Sequence, residues 1–395
     1  MISDLVLNPF AAVSLPDVAG EDITVTSPVP GRGLTTTRIA LESDPGLYEI
    51  FADTETIPLS LLDIEKDLGA GQRELLNSAG VLLDPSDLPR KPCFECLIDN
   101  VEPLADIPDL ADLIVNPTFE FQKVDLANFS SWLNEKHLSP YRPSAWITSP
   151  FSGLRLGHWL NEADAQTVEH LVAAHPPPNG VGHELSTKLY SAGILICPEE
   201  FEAEQVRIRG ALNELHEQFR TDKYTVVAGL IPREQIKAMQ DFYRSYVQNG
   251  FMPFGDAQVP GRYRQHNEPL ASTLHKDLAG LMSAVVGTPV KCSYVYAASY
   301  VEGAVLEPHT DREQCEYSIS FQVDYQPAGP DERSPWAIFL ESETTAPAAL
   351  YLSNGDGLFY KGRQLVHYRH ALPAGHRSTS LFFHFVDADF DGTLT

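Results

Sequence analysis

The chain has 395 residues, 43% of them hydrophobic and 21% charged, which is typical of a globular protein with room for two or three domains. Its net charge of −26 argues against binding to nucleic acid or to anionic membranes. The apolar runs are too short for a membrane span, and MISDLVLNPF lacks the pattern of a secretory signal. Five scattered cysteines fit a reducing compartment, so we expect a cytoplasmic protein.

The first part of the chain combines turn-forming residues with one helical segment. Residues 1–45 contain Pro, Gly, Ser and Thr without a sustained period, which predicts an irregular arm. A helical spacing of leucines follows over residues 57–79, and Gly80 stands where a helix-ending glycine belongs. The apolar residues 81–83 then indicate a short strand.

A repeated sequence indicates a duplicated unit in residues 46–220. Residues 76–88 read LNSAGVLLDPSDL and residues 189–201 read LYSAGILICPEEF, at a constant offset of 113. The order of helix, glycine and strand resembles the recognition helix and wing of winged-helix domains. Two unrelated helix ends with similar caps would give the same pattern, and this alternative stays open. Further helices are predicted near 162–174 and 199–220, and we assign the region to substrate or partner binding.

A second domain is predicted at residues 221–395. A strand-like run at 224–229 is followed by helices at about 232–250 and 271–286. After residue 290, short apolar strands alternate with turns, as in a jelly roll. The predicted fold class is therefore α+β, with a C-terminal double-stranded β-helix behind an α/β N-terminal region.

Three His-x-acid triplets are candidates for a metal site: His266-Asn-Glu268, His275-Lys-Asp277 and His309-Thr-Asp311. The second lies in a predicted helix, where residues two apart point to different sides. The first lies outside any predicted strand. The third follows the strand-like run 299–305, and extended backbone turns residues i and i+2 to the same side. We therefore select His309 and Asp311 as ligands of one ion.

A third ligand must come from further along the chain. His367 lies in QLVHYRHALPAGHRSTS, ten residues before Arg377, and His370 is a less well-spaced alternative. Two histidines and one carboxylate leave coordination positions open, which suits a non-haem Fe(II) that must also hold a cosubstrate and O₂. The planar guanidinium of Arg377 is suited to bidentate binding of a carboxylate.

In this order of residues, positions 221–395 resemble the Fe(II)- and 2-oxoglutarate-dependent oxygenase superfamily, in particular its prolyl-hydroxylase-like branch. The resemblance implies that His309, Asp311 and His367 bind Fe(II). It also implies that Arg377 binds the remote carboxylate of 2-oxoglutarate.

The resemblance implies further groups around the same carboxylate. Thr379 is expected to assist the arginine, and a tyrosine on a core strand is expected to contribute its hydroxyl. The candidates are Tyr325, Tyr296 and Tyr294, and the residues alone do not choose between them. Residues 1–220 lie outside the resemblance.

The implied reaction is hydroxylation of an unactivated C–H bond, with O₂ as oxidant and ascorbate as a stimulating reductant. A peptide, protein or amino-acid substrate is expected. A small secondary metabolite is the alternative substrate. The alternative function is that of a non-catalytic regulator that senses 2-oxoglutarate or iron. Tyr263, Arg264, His266 and Asn267 are candidates for the substrate mouth, with a solvated loop as the alternative.

Overall fold

The structure is a computed structural model. It describes residues 5–15, 22–40, 46–47, 51, 68–105, 107–109, 112–123, 138, 142–172, 181–329, 332–342 and 345–394. No helix within these ranges is long and apolar enough to cross a membrane. The first part of the predicted leucine-rich helix, residues 57–67, lies outside them.

The chain divides into two compact units. The first contains Met1–Pro92 and Tyr243–Arg264, and the second contains Cys93–Phe242 and Gln265–Thr395. Most of the predicted N-terminal region therefore shares a unit with the predicted oxygenase domain. The boundary expected near residue 220 lies within the second unit.

The first unit contains a small antiparallel sheet and one described helix. Its elements are β1 (Val6–Leu7), β2 (Ala12–Ser14), β3 (Ile23–Val29), β4 (Gly33–Ile39), α1 (Ala70–Ser78) and β5 (Leu82–Leu83). Strands β2, β3 and β4 form one sheet, and β1 pairs with β5. Alternate residues of β3, beginning with Ile23 and Val25, are fully buried in the core that also contains Leu76.

The prediction of an irregular arm for residues 1–45 is wrong for the residues that form this sheet. The threonines are β-branched and fit a pleated, half-buried surface. Pro30 and Gly31 occupy the turn between β3 and β4, where Gly31 has a φ of +73° and Arg32 N donates to Val29 O. The Pro-Gly signal therefore marked a hairpin and not a loop.

The second unit contains the remaining elements. Its first half comprises β6 (Ile114–Val115), β7 (Glu120–Gln122), β8 (Ser144–Thr148), β9 (Arg155–Trp159), α2 (Glu162–Val172), α3 (His183–Ser191), β10 (Leu195–Ile196), α4 (Pro198–Asp222) and β11 (Tyr224–Val227). Helix α5 (Arg233–Gln248) and strand β12 (Arg262–His266) contribute residues to both units. The rest comprises α6 (Pro269–Val286), β13 (Val290–Val301), β14 (Leu306–His309), β15 (Tyr317–Gln326), β16 (Ile338–Ser342), β17 (Thr345–Leu350), β18 (Gly357–Tyr360), β19 (Val366–Arg369) and β20 (Arg377–Asp387).

The two copies of the repeated sequence have the same local geometry. The helices α1 and α3 each lead to a glycine with positive φ, +74° at Gly80 and +73° at Gly193. Asn8 Nδ2 donates to Gly80 O at 2.9 Å, and Asn116 Nδ2 donates to Gly193 O at 2.8 Å. In each copy the strand after the glycine pairs with the strand before the asparagine. The two copies therefore also share an Asn-Pro pair, which begins at Asn8 in one and at Asn116 in the other and lies outside the repeated sequence.

The winged-helix shape expected for these copies differs from the structure. In a winged-helix domain the strand after the recognition helix leads into a β-hairpin. Here β5 is followed by a 3₁₀ turn at Pro85–Asp87, and β10 is followed by the long helix α4. The three-stranded sheets β2-β3-β4 and β7-β8-β9 instead follow the asparagines.

Two antiparallel sheets dominate the C-terminal part of the second unit. One has the strand order β11-β18-β15-β20-β13-β12, and the other has the order β14-β19-β16-β17. Buried side chains from both sheets, including Leu340 and Tyr360, belong to one core cluster. The mixed helix and sheet class expected from the sequence is confirmed.

Helix α6 lies against this part of the unit and is capped at both ends. The Glu268 carboxylate accepts hydrogen bonds from the backbone of Leu270 and Ala271, and Pro269 occupies the first turn. Gly287 ends the helix with a φ of +86°. His275 on this helix contacts the ring of Phe385 on β20.

Candidate metal centre

The structure brings His309, Asp311 and His367 together. His309 and His367 are direct partners across strands β14 and β19. Their ligand atoms and those of Asp311 lie within 4.8 Å of one another. Asp311 Oδ1 is 4.0 Å from His309 Nε2 and 3.5 Å from His367 Nε2. Two metal–ligand bonds of about 2.1 Å span at most about 4.2 Å, so Asp311 can share an ion with either histidine.

Backbone hydrogen bonds set the orientation of both histidine rings. His309 Nδ1 lies 2.8 Å from Glu307 O, and His367 Nδ1 lies 3.1 Å from Leu365 O. A carbonyl oxygen can only accept, so Nδ1 of each ring carries a hydrogen, and Nε2 is the ring nitrogen directed toward Asp311. Metal-binding histidines in proteins are held in this way by a second partner.

The Asp311 carboxylate is held by its surroundings. Asp311 N donates to Gly362 O at 2.9 Å, and Ser318 Oγ donates to Asp311 Oδ2 at 3.1 Å. A Cβ atom at Gly362 would overlap Asp311 Oδ2, so only glycine fits there. Burial acts to raise the pKa of Asp311, but the contact with His367 outweighs it and lowers the pKa to about 2. The carboxylate is therefore ionised at neutral pH, as a metal ligand must be.

A second cluster beside the triad contains Asp311, Cys315 and His384. Burial raises the pKa of the Cys315 thiol to about 12, so it stays protonated and is a poor metal ligand. Burial lowers the pKa of His384 to about 4, so this ring is neutral. His384 Nδ1 lies 2.9 Å from Ser318 Oγ. The hydroxyl can thus accept from His384 while it donates to Asp311.

Residues of the other two His-x-acid triplets have roles in the fold and not in the triad. Glu268 caps helix α6, and His275 is buried with its Nε2 2.8 Å from His384 O. His370, the alternative to His367, is exposed and contacts Phe339. An odd separation of three residues on extended chain places His370 on the face opposite to His367.

Strand register defines which face of the six-stranded sheet points to the triad. Ser318 on β15 is the direct partner of His384 on β20, and Ser318 contacts Asp311. Alternate residues of a strand share one face. Residues of β20 an even number of positions from His384 therefore face the triad, and the others face away.

Arg377 and Thr379 are not brought to the triad, in contrast to the prediction from the sequence. Both lie an odd number of residues from His384 on the regular strand β20, so both are on the opposite face. Thr379 Oγ1 lies 2.9 Å from Ser299 Oγ, and Arg377 is exposed. A spacing of ten residues from His367 crosses a turn, so it does not determine the face.

The candidate tyrosines do lie on the face of the triad. Tyr296 and Tyr325 are partners of β20 residues an even number of positions from His384. The Tyr325 hydroxyl lies 2.8 Å from His376 Nδ1. The Tyr294 ring lies 4.6 Å from the ring of His384. Their roles toward a cosubstrate stay predictions.

Sequence reasoning missed Arg369, which lies between the two sheets. Its side chain is 2% exposed, and its guanidinium lies 4.6 Å from the Trp336 ring. Nη1 donates to Trp336 O at 2.6 Å. Burial lowers the pKa of Arg369 to about 10, and the nearby Tyr300 and Tyr360 act in the opposite direction. Its position two residues after His367 on a strand was the available signal.

Part of the predicted substrate mouth lies beside the triad. His266 stacks on the Tyr294 ring at 4.9 Å, and the Arg312 guanidinium lies 4.7 Å from the same ring. Asn267 exchanges hydrogen bonds with the backbone of Val295. Tyr263 and Arg264 belong to the first unit.

No protein-family model and no curated protein matches the chain. The similar solved structures include two prolyl hydroxylases and one protein with hygromycin B bound. A prolyl-4-hydroxylase from Pseudomonas putida is 15% identical over 45% of this chain and 98% of its own, with a TM-score of 0.38. A prolyl hydroxylase from Trichoplax adhaerens, in complex with a hypoxia inducible factor peptide fragment, is 12% identical over 44% of this chain and 89% of its own, with a TM-score of 0.38.

The third is HygX from Streptomyces hygroscopicus with nickel, 2-oxoglutarate and hygromycin B bound. It is 13% identical over 45% of this chain and 88% of its own, with a TM-score of 0.36. Each of these likenesses spans less than half of this chain.

Proposed function

We propose that the chain is an Fe(II)- and 2-oxoglutarate-dependent dioxygenase whose catalytic domain, residues 221–395, is a double-stranded β-helix. The observation that carries the proposal is the convergence of His309 Nε2, His367 Nε2 and Asp311 Oδ1, with both ring tautomers set by backbone carbonyls. His309 and His367 lie on the neighbouring strands β14 and β19 of the four-stranded sheet, which is one of the two antiparallel sheets that a jelly roll requires.

The donor set fits the proposed ion. Two neutral imidazoles and one ionised carboxylate form the facial arrangement associated with non-haem Fe(II), with positions left for a cosubstrate and O₂. When bound, Fe(II) with 2-oxoglutarate and O₂ supplies the oxidising power that hydroxylates an unactivated C–H bond.

The chain's own residues orient the ligands and exclude water. Ser318 and Gly362 fix the Asp311 carboxylate from two sides. Tyr360 is 1% exposed, and its ring lies 5.0 Å from that of His367, which shields the ligand from solvent. Such fixed geometry lowers the reorganisation needed during reaction.

For the substrate, we propose a peptide, protein or amino acid, with a small secondary metabolite as the second candidate. His266, Tyr294 and Arg312 form a surface of stacked rings and one cation beside the triad. Aromatic and guanidinium groups of this kind suit recognition of a peptide segment. The duplicated units of residues 46–220 are proposed to bind the substrate or a partner.

The test is succinate formation by the purified protein with Fe(II), ascorbate and 2-oxoglutarate. Peptide and metabolite fractions of a lysate are added separately, and one fraction is expected to raise succinate above the unstimulated level. His309→Ala should abolish this stimulation, and His370→Ala should retain it. If the protein binds 2-oxoglutarate but forms no succinate with any fraction, the proposal that it is an enzyme would be contradicted. That result would favour a regulator that senses 2-oxoglutarate.

A further inference from the structure

Arg369 is a buried cation between the two sheets, and among the residues that the structure describes no anionic group pairs with it. Arg369 Nη2 is buried and makes no hydrogen bond with any residue that the structure describes. Its guanidinium contacts the carbonyl oxygen and the ring of Trp336, both uncharged. A buried guanidinium with an unsatisfied donor is costly unless an anion compensates it. The arrangement therefore suits a carboxylate ligand.

Arg369 shares a strand face with the triad. It follows His367 by two residues on β19, so both side chains project into the space between the sheets. The two Cα atoms are separated by about 7 Å at the usual rise of a strand. This separation is comparable to the length of a five-carbon dicarboxylate bound to the metal through one end.

Other polar atoms without partners lie on the facing sheet. Among the described residues, Ser320 Oγ, Gln322 Oε1 and Ser380 Oγ are buried and make no hydrogen bond. Strand register places all three on the face of Ser318 and His384, which points to the triad. Several unsatisfied polar groups on one interior surface indicate a polar ligand between the sheets.

We infer that Arg369, and not Arg377, binds the remote carboxylate of 2-oxoglutarate. This inference rests on the proposed function and specifies the cosubstrate subsite of the same centre. Arg377 is exposed on the opposite face of β20, where it cannot reach a ligand held between the sheets. Arg369 presents a desolvated, preoriented guanidinium that can bind a carboxylate through its free Nη2.

The experiment compares two 2-oxo acids under anaerobic conditions. The Fe(II) protein is titrated with 2-oxoglutarate and with 2-oxobutyrate, which has the same metal-binding end but no remote carboxylate. Binding is followed by the visible absorbance of the Fe(II)–2-oxo acid complex, so turnover is not needed. The wild type should bind 2-oxoglutarate at least about thirtyfold more tightly, as expected for a buried charge-assisted contact.

Arg369→Met should abolish this preference and leave the affinity for 2-oxobutyrate and the iron content unchanged. The matched variant Arg377→Met should keep the full preference. Because replacing a buried unpaired cation by an apolar side chain is often tolerated, we expect Arg369→Met to fold. Arg369→Lys, which keeps the charge and loses the bidentate geometry, should retain an intermediate preference.

The possible failures are distinguishable. A preference that survives Arg369→Met, or that is lost in Arg377→Met, would overturn the inference and leave the proposed function standing. Equal affinity of the wild type for both acids would do the same. A wild type that holds iron but binds neither acid would refute the proposed function itself.

Discussion

Arg369 follows His367 by two residues on the same strand, and both side chains point into the space between the two sheets. One strand therefore presents the proposed metal ligand and the proposed carboxylate-binding group at a fixed separation. Sheet hydrogen bonds hold β19 between β14 and β16. We expect this rigidity to set which 2-oxo acid fits beside the metal.

Replacing the distal histidine tests the metal site. His367→Ala removes a buried Nε2 that faces Asp311 at 3.5 Å, so we expect loss of bound Fe(II). His370→Ala changes an exposed ring on the opposite face and should leave the metal content intact. Metal analysis of the purified proteins checks both expectations. Similar metal content in the two variants would show that His367 is not a ligand.

Removing the Ser318 hydroxyl tests how Asp311 is held. Ser318→Ala deletes the donor to Asp311 Oδ2 and the partner of His384 Nδ1. We expect Fe(II) affinity to fall roughly tenfold, the lower end of the effect of such outer contacts. Ser299→Ala is the control, because its buried hydroxyl contacts Thr379 on the face away from the triad. Competitive metal titration distinguishes the two, and equal affinities would contradict the expectation.

A methyl group at Gly362 should displace the carboxylate ligand. In Gly362→Ala the new Cβ overlaps Asp311 Oδ2 and lies 2.6 Å from the backbone oxygen of Cys315. We expect a large loss of metal binding and a lower melting temperature. The same substitution at Gly280 meets no atom within 4 Å on a helix and should stabilise the fold by up to about 1 kcal/mol. Normal metal binding by Gly362→Ala would show that the space beside Gly362 is not needed to position the Asp311 carboxylate.

The buried His275 should contribute to the pH dependence of stability. Burial lowers its pKa from 6.5 to about 4, so between these values the unfolded chain binds a proton that the folded chain does not. The free energy of unfolding should therefore fall by up to about 3 kcal/mol from this group as the pH drops through that window. His275→Gln, measured by urea unfolding at several pH values, should show a shallower loss. If the free energy of unfolding of His275→Gln fell with pH as steeply as that of the wild type, the assigned role of His275 would be contradicted.

Helix ends and short-range spacing were predictable because they depend on local chemistry. The expected helix at 271–286 is observed at Pro269–Val286, with proline at its first turn and Gly287 at its end. His309 and Asp311 are two residues apart next to a strand, and the structure brings them together as the spacing predicts. The hairpin at Pro30 and Gly31 was missed, because composition alone did not distinguish a turn between strands from an irregular arm.

The positions of the cosubstrate groups could not be read from spacing. Strand β15 contains a bulge between Gln322 and Asp324, which turns Tyr325 to the face of Ser318 despite an odd separation. Arg377 lies beyond a turn from His367, so its face depends on how β20 pairs with its neighbours. The sequence therefore determined the local elements and the three residues of the proposed metal site. Only the tertiary structure decided which arginine faces them, because a side-chain face depends on register and bulges between distant strands.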